Sequence, residues 1–257
     1  MIGAIRKLLA NPQTRGMDLD DPLTTEKRRA VIRGNGFLKK IYDEWYRTLA
    51  DVVPGGDGAA LELGSGAGFM ESYIPGLITS EVFFCGGIQL VADARQLPLS
   101  SGSLRAILMV DVLHHIPDVR QFLTEAGRCL RSSGVLAMIE PWNTTWSRFI
   151  YQHLHHEPFL PDVREWAFPS SGPLSGANGA LPWILFSRDR ELFEREFPHF
   201  HIEQLRPTMP LRYLLSGGVS MRTLTPKMLF SFWKGVESRF HLEQSCGMFA
   251  SILLRKR

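Results

Sequence analysis

The sequence lacks the features of several large protein classes. Its three cysteines, Cys85, Cys129 and Cys246, are far apart and odd in number. They argue against a disulfide framework and a cysteine zinc site, and they indicate a reducing, cytoplasmic environment. No uncharged apolar run approaches the roughly 20 residues that a membrane-spanning helix needs. Lysine and arginine outnumber aspartate and glutamate only 29 to 26, so charge gives no support for nucleic-acid binding.

The first ten residues also lack the pattern of a targeting segment. They are apolar, but Arg6 and Lys7 interrupt them, and polar, proline-containing sequence follows. We therefore expect a short amphipathic helix packed on the protein. Weak contact with a membrane surface is the alternative, and only one short basic turn supports it.

The 257 residues, 44% of them hydrophobic, are enough for one large domain with a substantial core. Residues 26–49 have helical periodicity that glycines at 34 and 36 interrupt, and residues 1–58 are interpreted as a lead-in with a helical cover. Residues 59–257 then alternate between strands and helices, which predicts a mostly parallel sheet with helical crossovers. The predicted strands are 59–63, 78–80, 89–92, 105–110, 135–139, 200–205 and 248–254, and the clearest helix is 119–130.

Residues 141–187 interrupt this alternation. They contain several tryptophans and prolines and a glycine-rich run at 171–180. The segment is too long for a simple connection, so it is interpreted as a functional lid or a small subdomain.

A glycine-rich turn follows the first predicted strand. Gly64, Gly66 and Gly68 alternate strictly, with Ser65 between the first two, and Glu62 stands before them. Such glycines allow a tight turn and a close approach to a ligand, and a helix is expected to follow. The dinucleotide-binding fingerprint spaces its last glycine one residue further on. A carboxylate at Glu62 would repel a pyrophosphate, but it suits a cationic ligand with amine and hydroxyl donors.

Four segments in order resemble class I S-adenosylmethionine-dependent methyltransferases, most closely the ubiquinone and menaquinone biosynthesis branch. They are residues 62–68, 92–98, 110–116 and 123–134, within a similarity that spans roughly 59–141. Each lies at the end of a predicted strand or in the following turn, where open α/β folds bind ligands. The resemblance implies a Rossmann-like fold, a seven-stranded mostly parallel sheet with helices on both faces, and S-adenosylmethionine as cofactor. The partner would be a small-molecule or lipid-like methyl acceptor.

The resemblance also implies roles for single residues. Glu62 and the glycine loop would bind the cofactor. Asp93 would lie near the adenine, with the Ala94 N–H on the ring, although Asp93 could instead cap a turn. Asp111 would stand beside the methyl-transfer pocket, as a cofactor contact or catalytic group, and capping the next helix is a compatible alternative.

The resemblance places the acid that binds the ribose at the end of the second strand, roughly 20 residues beyond the first glycines, and Glu81 is the best candidate. Residues 82–88 alone separate that strand from the next, so the crossover there is shortened. An ordinary surface acid is the alternative interpretation.

Two groups of histidines could take part in the chemistry. His114 and His115 follow the fourth strand, and neighbouring histidines point in different directions, so at most one should face the pocket. We favour His114 as the catalytic candidate, with His115 bonded to the scaffold. A general base is needed only if the acceptor must lose a proton.

The second group lies in the insertion. His153 and His156 would share one helical face with Glu157, which allows a metal site, but the group has no obvious further ligand. We therefore expect no metal, and we interpret His153, His156 and Trp142 as lid or acceptor-pocket residues. Two other functions stay open: a nicotinamide-dependent oxidoreductase, which the glycine spacing disfavours, and a non-catalytic binding or assembly protein with the same fold.

Overall fold

Seven strands form one sheet in a computed structural model that describes residues 9–14, 16–18, 20–155, 157–170, 172, 174 and 176–257. The spatial order is β3-β2-β1-β4-β5-β7-β6. The first five are mutually parallel, and β7 is antiparallel to both of its neighbours. This confirms the predicted mostly parallel sheet. The strands are β1 (Ala59–Leu63), β2 (Leu77–Glu81), β3 (Leu90–Val91), β4 (Leu104–Val110), β5 (Leu130–Pro141), β6 (Phe200–Thr208) and β7 (Phe249–Lys256).

The helices differ widely in length, and none in the described part of the chain is long and apolar enough to cross a membrane. A π-helical stretch, Ile184–Arg188, separates α5 from α6, and three-residue 3-10 helices occur at Met70–Ser72, Leu113–His115 and Lys227–Leu229. The α-helices are α1 (Pro22–Gly34), α2 (Gly36–Ala50), α3 (Val119–Cys129), α4 (Thr145–Leu154), α5 (Leu181–Trp183), α6 (Arg190–Glu196), α7 (Arg212–Ser216), α8 (Phe230–Arg239) and α9 (Leu242–Cys246).

Asn35 separates the two N-terminal helices. Its backbone is extended, which ends α1, and its side-chain oxygen accepts hydrogen bonds from the N–H groups of Phe37 and Leu38, both at 3.1 Å. An asparagine in this position satisfies N–H groups that otherwise have no partner in the first turn of a helix. The predicted break at residues 34–36 is confirmed.

The second helix packs directly on the sheet. One face of α2 is buried, and the ring of Trp45 lies 4.9 Å from that of Phe249 on β7. Full burial of an aliphatic or aromatic side chain contributes roughly 1.5–3 kcal/mol. The N-terminal helices therefore share the hydrophobic core of the sheet.

The connection from β1 to β2 departs from expectation. Residues 64–76, all of them described, contain the 3-10 helix Met70–Ser72 where the sequence predicted an α-helix behind the glycine loop. That expectation is wrong, because the loop is rich in glycine and Pro75-Gly76 follows within one turn, and both residue types disfavour helix. The short crossover predicted after β2 is present at residues 82–89.

Side chains from the N-terminal helices pack where that helix was expected. Arg29 of α1 donates hydrogen bonds to the carbonyls of Gly66 and Gly86. The hydroxyl of Tyr46 on α2 accepts a hydrogen bond from the N–H of Phe69 at 3.4 Å. The glycine loop is thus supported by helices that precede it in sequence.

A buried ion cluster joins three helices on this side of the molecule. Arg212 of α7 contacts Glu237 of α8 at 2.5 Å and Glu44 of α2 at 2.8 Å. The side chains of Arg212 and Glu237 are almost fully buried. Burying one partner alone would leave an uncompensated charge, so the cluster fixes how these helices meet.

Candidate active site

A cavity of about 630 Å³ lies at the carboxyl edge of the parallel strands. Small-molecule pockets in proteins usually measure about 300–1,000 Å³. The ends of β1, β2 and β4, the turn after β3, helices α1 and α2, and parts of residues 155–174 line it. The fold thus brings together seven residues predicted to bind the cofactor: Glu62, Gly64, Gly68, Glu81, Asp93, Ala94 and Asp111.

The glycine loop is held too tightly for larger residues. Gly64 has φ 69°, in the left-handed region, and a Cβ there would collide with Val112. A Cβ on Gly66 would lie 2.7 Å from both the Glu81 carboxylate and the methyl group of Thr25. Glycine is therefore required both for backbone conformation and for close approach.

Ser65 is turned away from the cavity. Its hydroxyl accepts a hydrogen bond from the N–H of Ser80 at 3.1 Å and donates one to the carbonyl of Glu62 at 3.3 Å. These contacts tie the loop to β2. Its side chain, expected to contact the cofactor, thus supports the backbone of the loop.

Glu62 ends β1 with a buried carboxyl group. Its Oε2 has no hydrogen-bond partner among the described residues. Burial, with a smaller contribution from the charges of Glu71 and Glu81, raises the pKa of Glu62 to about 8. A buried acceptor of this kind is costly unless a donor pairs with it, so the position suits a cationic N–H donor.

Glu81 ends β2 and faces the glycine loop. Its carboxylate accepts hydrogen bonds from the N–H of Gly66 at 3.2 Å and from that of Val82 at 2.9 Å. Burial raises the pKa of Glu81, and the two N–H donors oppose that change. Its burial beside the cavity excludes the interpretation of Glu81 as an ordinary surface acid.

The position of Asp93 fits both predicted roles, a contact with the adenine and a cap of the turn. It lines the cavity, and its carboxylate also accepts a hydrogen bond from the N–H of Arg95 at 2.8 Å, which caps the turn. The Arg95 guanidinium lies 2.7 Å away and lowers the pKa of Asp93. A ligand that bonds to this carboxylate would share it with Arg95.

Asp111 stands at the end of β4 with a strained backbone. Its φ is 64°, a value that costs a non-glycine residue free energy and is often found at functional sites. The side chain lines the cavity and is 39% exposed within it. Desolvation raises the pKa of Asp111 to about 6, against the opposing charge of His114.

The two neighbouring histidines are oriented opposite to the prediction. His115 lines the cavity, whereas His114 is fully buried behind the wall. Glu140 holds His114 from below: its Oε2 lies 2.8 Å from His114 Nδ1, and its Oε1 accepts the N–H groups of Val112 and Leu113. The contact with buried Glu140 at the end of β5 therefore holds the His114 ring in the protein interior.

The protonation of these rings also differs. Desolvation alone would lower the pKa of His114, but its contacts with the carboxylates of Glu140 and Glu157 outweigh desolvation and raise that pKa well above its usual value. Desolvation, aided by the charge of His114, lowers the pKa of His115 to about 4. The cavity-facing ring is therefore the neutral one.

The histidines of the insertion are dispersed. His153 lies on the exposed side of α4, where its Nδ1 bonds to the carbonyl of Phe149 at 2.8 Å, and His156 lies outside the described residues. Trp142 is buried in the hydrophobic core. The insertion reaches the cavity instead through His155, Glu157 and residues near 170–174.

Four further residues that line the cavity carry polar groups: Thr25, Arg28, Tyr42 and Tyr213. The sequence placed Tyr42 on the apolar face of a helix, and its hydroxyl was the only signal of another role. Nothing local marked the other three, because they reach the site through the packing of α1 and α7.

Comparison with known proteins extends these observations. Residues 80–138 match a family model described as a methyltransferase domain. No curated protein matches the chain.

Solved structures match over nearly the whole chain. Geranyl diphosphate C-methyltransferase from Streptomyces coelicolor A3(2), with Mg²⁺, geranyl-S-thiolodiphosphate and S-adenosylhomocysteine, is 14% identical with TM-score 0.52. That match covers 100% of this chain and 91% of the other. A complex of the same enzyme with geranyl diphosphate is 13% identical with TM-score 0.50, and the match covers 97% of this chain and 89% of the other. A SAM-dependent methyltransferase from Aquifex aeolicus is 12% identical with TM-score 0.46, and that match covers 92% of this chain and 99% of the other.

Residues 80–138 are thus similar to a methyltransferase domain, and the shared fold confirms the predicted Rossmann-like architecture. S-adenosylmethionine as the cofactor stays a prediction at this point. The narrower similarity to the quinone-biosynthesis branch stays a prediction.

Proposed function

We propose that this chain is a class I S-adenosylmethionine-dependent methyltransferase and transfers the methyl group to a small, partly apolar acceptor. One observation carries the proposal. A single cavity joins the glycine loop and its buried acids to a second group of polar side chains around Asp111. A donor and an acceptor can therefore lie in contact within one enclosed space.

The cofactor end fits the cationic nucleoside. The partnerless oxygen of Glu62 would accept from the ammonium group of the methionine part, and Glu81 would accept from the ribose hydroxyls. Asp93 and the N–H of Ala94 would contact the adenine. Because Gly66 has no Cβ, Glu81 and Thr25 can pack closely against the glycine loop, which places the Glu81 carboxylate beside the cavity.

The acceptor end is mixed in character. Asp111, His115 and Glu157 provide polar atoms, while Tyr42 and Tyr213 provide aromatic walls. When bound, S-adenosylmethionine supplies a methyl group already activated by its positive sulfur. The side chains of this chain would then align the acceptor and exclude water, which is the main requirement for such a displacement. An acceptor with a polar atom on an apolar, lipid-like body fits this lining.

The insertion would form the cover of this end. The N–H of Leu174 donates to Asp20 at 2.6 Å, and the carbonyl of Gly176 bonds to His115 Nδ1 at 3.2 Å. These contacts join the segment to the N-terminal region on one side and to the site on the other. A segment that bridges the cavity in this way can close over a bound acceptor.

Calorimetric titration with S-adenosylmethionine, S-adenosylhomocysteine and NAD tests the proposal. We expect binding of the first two and none of NAD. Gly66→Leu should abolish binding, because its side chain would occupy the cofactor space and displace Glu81. Gly235→Leu is the matched control, since a Cβ on Gly235 meets nothing within 4 Å. Binding of NAD without S-adenosylmethionine would overturn the proposal, and so would unchanged affinity in Gly66→Leu.

A further inference from the structure

Three side chains that commonly bind metals converge at the acceptor end of the cavity. They are His114, His115 and Glu157, and their candidate ligand atoms all lie within 4.8 Å of one another. His114 Nε2 lies 3.4 Å from Glu157 Oε2, and His115 Nε2 lies 3.7 Å from Glu157 Oε1. Asp111 Oδ1 lies 3.9 Å from His114 Nε2.

Both rings are oriented so that Nε2 faces Glu157, while Nδ1 faces another part of the protein. His115 Nδ1 faces the carbonyl of Gly176, which can only accept, so this nitrogen carries the hydrogen. His114 Nδ1 faces Glu140, whose other oxygen already accepts two backbone N–H groups. A carboxylate or carbonyl on the outer nitrogen is the usual support of a metal-binding histidine, because it fixes the ring and leaves the other nitrogen for the ion.

The inner nitrogen of His114 has an unusual environment. Its side chain is fully buried, and within the described residues Nε2 has no well-formed hydrogen bond. Leaving a buried polar atom in this state costs free energy. A metal ion that takes the place of the Nε2 proton would bind this nitrogen and Glu157 together and would remove that cost.

The distances are close to those of a coordination sphere. Bonds of about 2.0–2.2 Å to nitrogen and oxygen place the ligand atoms of a tetrahedral site about 3.4 Å apart. The observed separations of 3.4 and 3.7 Å between the histidine nitrogens and Glu157 therefore need only small side-chain movements to reach that geometry.

We propose that His114, His115 and Glu157 bind a divalent transition-metal ion at the acceptor end of the cavity, with Asp111 beside the site. Two imidazole nitrogens favour such ions over Mg²⁺ and Ca²⁺, which prefer oxygen ligands. His115, Glu157 and Asp111 line the cavity, so the ion is reachable from it. An oxygen of the methyl acceptor can complete the coordination of the ion, a role that rests on the proposed function.

The metal-binding test uses the whole chain after treatment with a chelator. Co²⁺ is titrated in, and its visible absorption reports nitrogen and oxygen ligands. We expect one ion per chain, and no competition from Mg²⁺ at equal concentration. His115→Ala and Glu157→Gln should each weaken Co²⁺ binding more than about tenfold. Glu140→Gln, which weakens the contact that orients His114, should weaken it by about 10–100-fold. His201→Ala, at an exposed histidine on β6, is the control and should change nothing.

Calorimetry with S-adenosylmethionine on each variant shows whether the fold is intact. Absence of stoichiometric Co²⁺ binding by the wild-type protein would overturn the proposal. Equal Co²⁺ affinity in folded His115→Ala and Glu157→Gln variants would do the same, as would an equal loss in His201→Ala. Cofactor binding without metal binding would leave the proposed function standing, so the two can fail separately.

Discussion

Replacing Glu62 by glutamine should make the ligand-free protein more stable at neutral and alkaline pH. Burial raises the pKa of this carboxyl from 4.5 to about 8. Between those values the folded protein keeps a proton that the unfolded chain has released, so the free energy of unfolding falls as pH rises. At about 1.36 kcal/mol per pH unit, the whole interval corresponds to on the order of 5 kcal/mol at pH 8 and above.

Urea denaturation of both proteins from about pH 5 to about pH 9 measures this contribution. The difference between Glu62→Gln and wild type isolates the group, because other titrating residues are shared. It should grow with pH and level off above about pH 8. The glutamine amide adds an offset that does not vary with pH. Glu191→Gln removes a carboxylate from an exposed position that does not contribute to the pKa of Glu62, and it is the matched control.

Excess S-adenosylmethionine should narrow the difference in stability between the two proteins. An ionised Glu62 paired with the ammonium group gains a charged hydrogen bond, which is worth roughly 1.5–3 kcal/mol. The wild-type protein should therefore bind more tightly than Glu62→Gln by about that amount. Parallel stability curves in the absence of ligand would refute the reasoning about burial, and equal cofactor affinity would refute the role at the ammonium group.

Three further outcomes are expected. Glu81→Gln should weaken S-adenosylmethionine binding by about 1–3 kcal/mol in calorimetry, because a neutral amide replaces the carboxylate proposed to accept from the ribose. Arg212→Met should lower the free energy of unfolding by about 3–5 kcal/mol in urea, because Glu237 is left buried and unpaired. The amides of Asn178 and Gly179 should exchange slowly without ligand, since they donate to the carbonyls of His114 and Pro158; fast exchange there would contradict the protection expected from these hydrogen bonds.

The strand pattern could be predicted from the sequence because it depends on local composition. The end of β1 at Leu63, the turn at Gly64 and the acid at the end of β2 all follow from apolar runs bounded by glycine or charge. Parallel strands then bring their carboxyl ends to one edge, so Glu62, Glu81 and Asp111 lie around one cavity as expected.

Side-chain direction could not be predicted, because it depends on partners far away in sequence. His114 is turned inward by Glu140, which is 26 residues away and buried beneath it. Trp142 looked like a pocket residue from its neighbours but is part of the core. Tertiary packing decides such cases, and periodicity holds no information about it.

The missing helix after the glycine loop has a consequence for how the cofactor acts on the whole chain. Arg29, Thr25 and Tyr46 contact the loop, so α1 and α2 must be docked for the pocket to exist. A ligand that binds only the docked form adds RT ln(1 + [L]/Kd) to its stability, about 2.7 kcal/mol at 100 times Kd. Undocking of the N-terminal helices would then be roughly 100-fold rarer. The accessibility of residues 22–50 to proteases thus becomes a measure of how much cofactor surrounds the protein.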